Sequence, residues 1–365
     1  MLVLKAPQSE VLSALRRVAG VAPSRSTLPI LSNVRIAKVG DILSLTGTDL
    51  DVEATFSVAL GGDAGSFSTT VSAKRIVDVL QTAAPDQVVS MTEKAGKLIV
   101  QAGKSRFNLN TMPAADYPSM KSGEAVARIT VTQKSLRDLL AKVAFAMAVH
   151  DIRYFLLGVL LEIDEDGITA VATDGSHLAK ASTGTGGVKS SVILPRASVL
   201  YLQKMLADVD EPVTIDLADR LASFEFGTLR FLTKLVDGRF PDYRRVIPQQ
   251  LKQAVTLGRA PLLHALRAVS VVNTTKFHGV RVMFEPGLLR LSTDVAGENA
   301  LSELEIDYGG PAVELGFDAR LLAEGLDAID ADMLRVEFSG DKAPLLMTIP
   351  DGDQSYRYVL MPMRI

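Results

Sequence analysis

The sequence predicts an α+β protein built from three copies of one folding unit, and three observations carry that reading. A strand ending in Thr-Asp recurs at 45–50 (LTGTDL), 170–178 (AVATDGSHL) and 289–295 (LRLSTDV), so that Asp49, Asp174 and Asp294 lie 125 and 120 residues apart. A strand running into a helix recurs at 71–80, 193–202 and 315–326, with Lys74, Arg196 and Asp318 each 122 residues from the next. A basic-aromatic pair in a late strand recurs as Arg106-Phe107, Arg230-Phe231 and Arg357-Tyr358, spaced 124 and 127. Three landmarks in one order at one period, about a third of the 365 residues, mark internal repeats. They divide the chain at 1–123, 124–250 and 251–365.

Within each repeat the order is helix, several strands, helix, several strands. Apolar side chains at Leu136, Leu139, Leu140, Val143 and Met147, and at Ile76, Val79, Leu80 and Ala83, follow the spacing of a helix stripe. Val52, Ala54, Phe56, Val58 and Leu60 alternate with smaller or polar residues, as do Phe107, Leu109 and Thr111, the pattern of half-buried strands. Pro195 and Pro261 fall where a first helical turn tolerates proline. Helices are expected near 8–20, 72–83, 132–148, 195–208, 259–272 and 318–329.

Composition excludes several classes. With no cysteine, disulfide scaffolds, thiolate metal sites and thiolate nucleophiles are impossible, and 47% hydrophobic against 22% charged residues makes a folded chain with ample core. Apolar runs fall short of a membrane span of about 18 residues, and Lys5 and Pro7 interrupt any signal-peptide core, so a cytoplasmic location and no membrane partner are expected. His150, His177, His264 and His278 lack metal-ligand spacing. Gly103-Lys104-Ser105 lacks the earlier glycine of a phosphate loop. Ser176-His177 beside Asp174 lacks a nucleophile elbow, and Asp164-Glu165-Asp166-Gly167 suits a solvated hairpin better than a calcium loop. No metal, cofactor or catalytic residue is expected.

Net charge is −3, yet it is unevenly spread. The six helices carry 12 basic and 7 acidic residues, the remainder 27 and 35. Either the polar helix faces are simply solvated, or the helices gather on one side as a basic surface for a polyanion.

Five stretches, 27–31 (TLPIL), 43–50 (LSLTGTDL), 172–175 (ATDG), 234–246 (KLVDGRFPDYRRV) and 358–365 (YVLMPMRI), resemble the bacterial DNA polymerase III beta subunit, the sliding-clamp family. The resemblance runs from end to end. It implies three clamp domains, each of two helices packed on antiparallel sheets, closing as a head-to-tail homodimer into a six-domain ring around duplex DNA. DNA contacts then fall on Arg25, His150, Arg153 and Tyr154, with Lys74, Arg75 and Arg196 as basic lining. A pocket for short linear peptides falls on Leu156, Thr173, Gly175, His177, Leu178, Pro241, Arg245, Val246, Val359, Met361, Pro362, Met363 and Arg364. Ser176-His177 stands where the family usually has His-Arg, so one guanidinium is missing at the rim; Leu156, Leu178 and Val359 are equally readable as core. For the subunit contact, Phe107 and Leu109 would pack against Val271 and Val272, with Lys104 and Arg106 facing Glu298, Glu303 and Glu305. The partners implied are the replicative polymerase alpha subunit, clamp-loader subunits, translesion polymerases, and mismatch-repair or ligase proteins. A repeat-built scaffold that binds only proteins, and an unseen nucleotide-processing enzyme, are the competing readings.

Overall fold

The computed structural model describes residues 2–59, 66–274, 278–340, 342–350 and 355–365, with the side chains of residues 2 and 3 left aside. Six helices stand close to the expected positions: α1 (Gln8–Ala19), α2 (Ala73–Gln81), α3 (Gln133–Ala144), α4 (Arg196–Met205), α5 (Arg259–Val269) and α6 (Ala319–Asp327), with α2, α3 and α4 ending short of the expected 83, 148 and 208, so that Ala83 and Met147 fall outside them. Pro195 ends the strand before α4 rather than sitting inside its first turn. Ser72 caps α2 by accepting from the Arg75 N–H, and Asp318 caps α6 by accepting from those of Arg320 and Leu321. Among the described residues no helix is long and apolar enough to cross a membrane.

The chain folds as two compact units, Met1–Lys134 with Leu200–Leu235, and Ser135–Val199 with Val236–Ile365. The first holds a twelve-stranded antiparallel sheet. Its core gathers Leu15 and Val18 of α1 and Ile76 and Leu80 of α2 against Val34, Ile36 and Val71. Gly47 permits the approach of α1 to the strand Ile42–Thr48, because a Cβ there would lie 2.2 Å from the Val18 carbonyl oxygen. In the strand Val52–Ala59, Val52 and Ala54 are buried as expected but so is Glu53, whose carboxylate accepts the Met120 N–H at 2.9 Å. Burial pushes the Glu53 carboxyl above its ordinary range. Phe56 and Val58 are half-buried, and Leu60 lies outside the described residues.

The second unit holds an eight-stranded and a four-stranded sheet. Phe284 stacks on Phe338 at 4.1 Å between centroids, and Phe317, Leu266, Leu322 and Leu326 are buried in the same unit. Gly325 of α6 leaves room for the Tyr358 ring, 2.4 Å from where a Cβ would stand, and the Tyr358 hydroxyl donates to the Leu321 carbonyl at 2.8 Å.

Each unit contains one join between sequence repeats, and the two joins use corresponding strands of the repeats. The strand after the first Thr-Asp, Val52–Ala59, pairs antiparallel with Leu229–Lys234, placing Ala54 opposite Phe231. The strand after the second, His177–Thr183, pairs antiparallel with Tyr356–Leu360, placing Ala179 opposite Tyr358. Phe231 and Tyr358 are the aromatic residues of the third landmark, and both are fully buried.

Candidate functional site

The two Thr-Asp turns are built alike. The Asp49 carboxylate accepts the N–H groups of Asp51 and Val52 at 2.9 and 2.8 Å; that of Asp174 accepts those of Ser176 and His177 at 2.7 and 3.1 Å. The Thr48 and Thr173 hydroxyls donate to the carbonyls of Val52 and His177. Leu50 and Gly175 take the left-handed conformation this turn requires, at φ 79° and 97°. Burial alone would raise the Asp174 carboxyl, but the His177 imidazole at 3.2 Å and the two N–H donors outweigh it and hold the carboxyl below its ordinary value. The third Thr-Asp differs: Asp294 continues into a hairpin opposite Asn299, turning at Ala296 and Gly297.

The second turn stands beside the C-terminal segment. Leu178 faces Val359 across the strands, and the Met361 N–H donates to the Ser176 carbonyl at 2.9 Å. Leu156, Leu178 and Val359 belong to one buried apolar cluster with Phe240, Tyr243 and Ile247, so these three form a floor rather than walls. Around it Pro241, Arg245, Val246, Met361, Met363 and Arg364 are exposed, Thr173 and Pro362 are partly so, and Gly175 is open. The Met363 N–H donates to the Gly316 carbonyl at 2.8 Å, which ties the tail down. The short helix Tyr243–Arg245 is pinned from below: the Tyr243 hydroxyl donates to the Glu162 carboxylate at 2.7 Å, Arg244 pairs with the same carboxylate at 2.7 Å, and its guanidinium covers the Tyr243 ring. His177 departs from the rim position expected of it. It is buried at 4% exposure and stacks on Phe145 at 6.0 Å, because the turn sends Ser176 outward and the next residue inward.

Of the residues expected to meet a polyanion, Arg25, Lys74, Arg75, His150 and Tyr154 are exposed. Lys74 pairs with Asp78 at 2.6 Å. Arg153 donates to both Asp151 oxygens, at 3.0 and 2.7 Å, and to the Asp174 carbonyl at 3.1 Å, so its loop is fastened to the second Thr-Asp turn. Those hydrogen bonds hold the Asp151 carboxyl down to about 2. Arg196 is half-buried and donates to the Met147 carbonyl at 3.4 Å, a structural bond that leaves less of it for a ligand. Lys134, Arg137, Arg267 and Arg320 pair with nearby carboxylates. The uncompensated charge gathers elsewhere: Arg16 and Arg17 of α1 and Lys204 of α4 line a cleft of about 840 Å³ with no carboxylate in its walls.

The strand Ser105–Pro113 has no buried position, although it carries the first basic-aromatic pair. Gly103 and Lys104 form its two-residue hairpin turn, which rules out a phosphate loop there. Among the described residues 105–110 pair only with Lys97–Ala102, leaving the other edge open and Phe107 half-exposed where Phe231 and Tyr358 are buried. The strand Glu298–Glu305 likewise lies at the edge of its four-stranded sheet with no buried position and Leu301 63% exposed. Val271 is 81% exposed on the short helix Ser270–Val272 packed beside that strand; Val272 is half-buried. Glu298 and Glu305 are exposed, and Glu303 pairs with Arg290 at 2.7 Å.

Family models for the DNA polymerase III beta subunit match three consecutive segments: the N-terminal domain over residues 4–121, the central domain over 130–242 and the C-terminal domain over 244–364. The chain belongs to the DNA polymerase III beta subunit family. Its function is that of a DNA sliding clamp, a processivity subunit with no catalysis of its own. The beta sliding clamp of Pseudomonas aeruginosa is 36% identical over 97% of this chain and 98% of its own; that of Escherichia coli K12 is 32% identical over 98% of each. The solved P. aeruginosa clamp bound to griselimycin superposes with a TM-score of 0.96 at 35% identity, covering all of both chains. A beta clamp from Caulobacter crescentus gives 0.94 at 32%, covering 100% of this chain and 99% of its own.

Three features of the structure escape sequence reasoning. Arg16, Arg17 and Lys204 are visible in sequence only as helix charge; their convergence on one cleft needs the fold. Leu301 carries a signal, an apolar residue on the alternate face it shares with Asn299, Glu303 and Glu305 in ENALSELE, that goes unread without knowing that this strand is an edge. The tie of Arg153 to the Thr-Asp turn spans 21 residues and has no signal.

Proposed function

We propose that the chain closes head to tail with a second copy into a six-domain ring, and that the strand joins carry this reading. Two of the three strands that follow a Thr-Asp are paired with two of the three basic-aromatic strands, Val52–Ala59 with Leu229–Lys234 and His177–Thr183 with Tyr356–Leu360. One of each kind is left over: Glu298–Glu305 and the 105–110 edge. Pairing the leftovers between two chains makes a third join of the same kind and satisfies both open edges. The register follows from the repeats. Ala54 lies opposite Gly47 within its sheet, Ala179 opposite Ala172, and Leu301 opposite Ser292. Leu301 therefore takes the place facing Phe107, Leu109 and Val271 add apolar area, and Lys104 and Arg106 meet the acids of Glu298–Glu305. The repeat boundaries 1–123, 124–250 and 251–365 are the units of this ring.

Duplex DNA is held topologically, with Arg25, Lys74, Arg75, His150, Arg153 and Tyr154, joined by the Arg16, Arg17 and Lys204 cleft, as a sequence-independent phosphate surface. The face around Thr173, Gly175, Val246, Met361 and Met363 receives short peptides of the replicative polymerase and, by the same mode, of loader, translesion, mismatch-repair and ligase proteins. The apolar floor with flexible methionine walls supports this reading. A relative bound to griselimycin supports a pocket of this kind in the family. The protein acts in the bacterial cytoplasm, at the replisome. Replacing both Met361 and Met363 by serine should weaken a polymerase-derived peptide by roughly 10- to 100-fold, the loss of an apolar anchor, in fluorescence anisotropy. Unchanged affinity in the folded variant would place the docking face elsewhere.

A further inference from the structure

Beneath α1, between that helix and the strands Asn33–Val39, Ile42–Thr48, Val52–Ala59 and Val88–Lys94, lies a cavity of about 270 Å³. Leu15, Ile36, Leu45 and Met91 form its walls, all of them almost wholly buried. Phe56 and Val58 line it too and are only half-buried, so the opening lies on the Val52–Ala59 side. Its polar lining is confined to α1: Glu10, Ser13 and Arg17, all exposed. The Arg17 guanidinium sits 5.7 Å from the Phe56 ring centroid, at the opening. Glu10 is seven residues back along the helix, about 10 Å at the helical rise.

Protein interiors are packed like organic crystals, with few voids larger than a water molecule. An apolar cavity of about 150 Å³ stays dry and takes up benzene, because water inside finds no hydrogen-bond partner while an apolar guest regains dispersion contacts. The cavity under α1 is larger and apolar on its inner walls, but open on one side, with a planar cation at its mouth suited to a carboxylate. We infer that it is a binding site for a small aromatic acid, whose one or two rings sit against Leu15, Leu45 and Met91 and whose carboxylate pairs with Arg17 beside Phe56. The site is separate from the peptide face and from the strand edges.

The test uses the full chain and 2-naphthoate, followed by its own fluorescence, with 2-naphthalenemethanol as the uncharged counterpart. Saturable binding at one site per chain is expected, undisturbed by excess polymerase-derived peptide. Ala14→Leu and Ala14→Phe, which grow a side chain into the cavity, should each weaken naphthoate by at least about tenfold. Arg17→Gln should weaken naphthoate by about tenfold, the loss of a charge-assisted pair, while leaving the alcohol within about twofold. Diffraction from crystals soaked in 6-bromo-2-naphthoate locates the probe independently of any variant's folding, and the bromine should lie between α1 and Phe56. Non-saturable binding, displacement by the peptide, full affinity in both folded Ala14 variants, equal losses for acid and alcohol in Arg17→Gln, or bromine found only beside Met361 and Met363 would each overturn the assignment.

Discussion

Asp174 holds its turn by taking two backbone N–H groups onto one carboxylate oxygen, and the turn in turn positions the Ser176 carbonyl that receives Met361. Removing it leaves those donors short of a partner in a half-buried place. Asp174→Ala should therefore cost about 1–3 kcal/mol in chemical denaturation and weaken the docking peptide. Asp294→Ala, in a hairpin held by strand pairing, should cost less and leave the peptide affinity unchanged. A second residue-scale test concerns acid. Arg153 depresses the Asp151 carboxyl to about 2, so the pair's contribution is complete above the unfolded value near 3.9 and is lost as pH falls toward 2. An NMR titration should place the Asp151 midpoint near 2, and Arg153→Gln should return it toward about 3.9. An Asp151 midpoint unmoved by Arg153→Gln would show that another group sets it. His177 marks what sequence alone does not decide here: Ser176 and His177 are adjacent in a strand-initiating turn, and which one faces inward depends on the turn's φ angles.

Among the elements, the strand edges carry the proposed assembly. Phe107→Glu or Leu301→Glu puts a charge into the apolar centre of the proposed third join while sparing each unit's own core. Either change should raise the dimer dissociation constant by at least about 100-fold, a loss of about 3 kcal/mol, and yield folded monomers in sedimentation velocity. A persistent dimer for both would show that a different edge is used. Gly47→Val tests the opposite kind of site: its side chain would meet the Val18 carbonyl, and it should destabilise the first unit by about 3 kcal/mol or more with no change in edge chemistry. Helices were legible in the sequence to within a few residues, because stripes such as Leu136, Leu139, Leu140 and Val143 report one buried face, and all four are buried; Met147, read into the same stripe, is buried too but lies beyond the end of α3 at Ala144. Strand partners were not. Alternation shows which face of Val52–Ala59 is apolar, but nothing local says that its neighbour is Leu229–Lys234, some 170 residues on, or that Glu53 would be buried by the Met120 N–H. The proposed docking face was legible only by resemblance, since Leu156, Leu178 and Val359 are indistinguishable from core, which they are.

For the whole molecule, the charge arithmetic and the topology answer each other. A chain of net charge −3 that gripped DNA by contact alone would do so weakly and lose its hold steeply with salt, whereas a closed ring need only repel less on its inner side than elsewhere. On the proposed inner side, Arg16, Arg17, Arg75 and Lys204 would supply a local surplus without base-reading side chains, which suits sliding. Retention should then depend on whether the DNA has ends and hardly on ionic strength. The most direct measurement loads the protein onto nicked circular DNA with a clamp-loading ATPase, raises the salt to a level that strips ordinary DNA-binding proteins, and then linearises half the sample before gel filtration. The protein should remain on the circles and leave the linear molecules; equal loss from both forms would contradict encirclement.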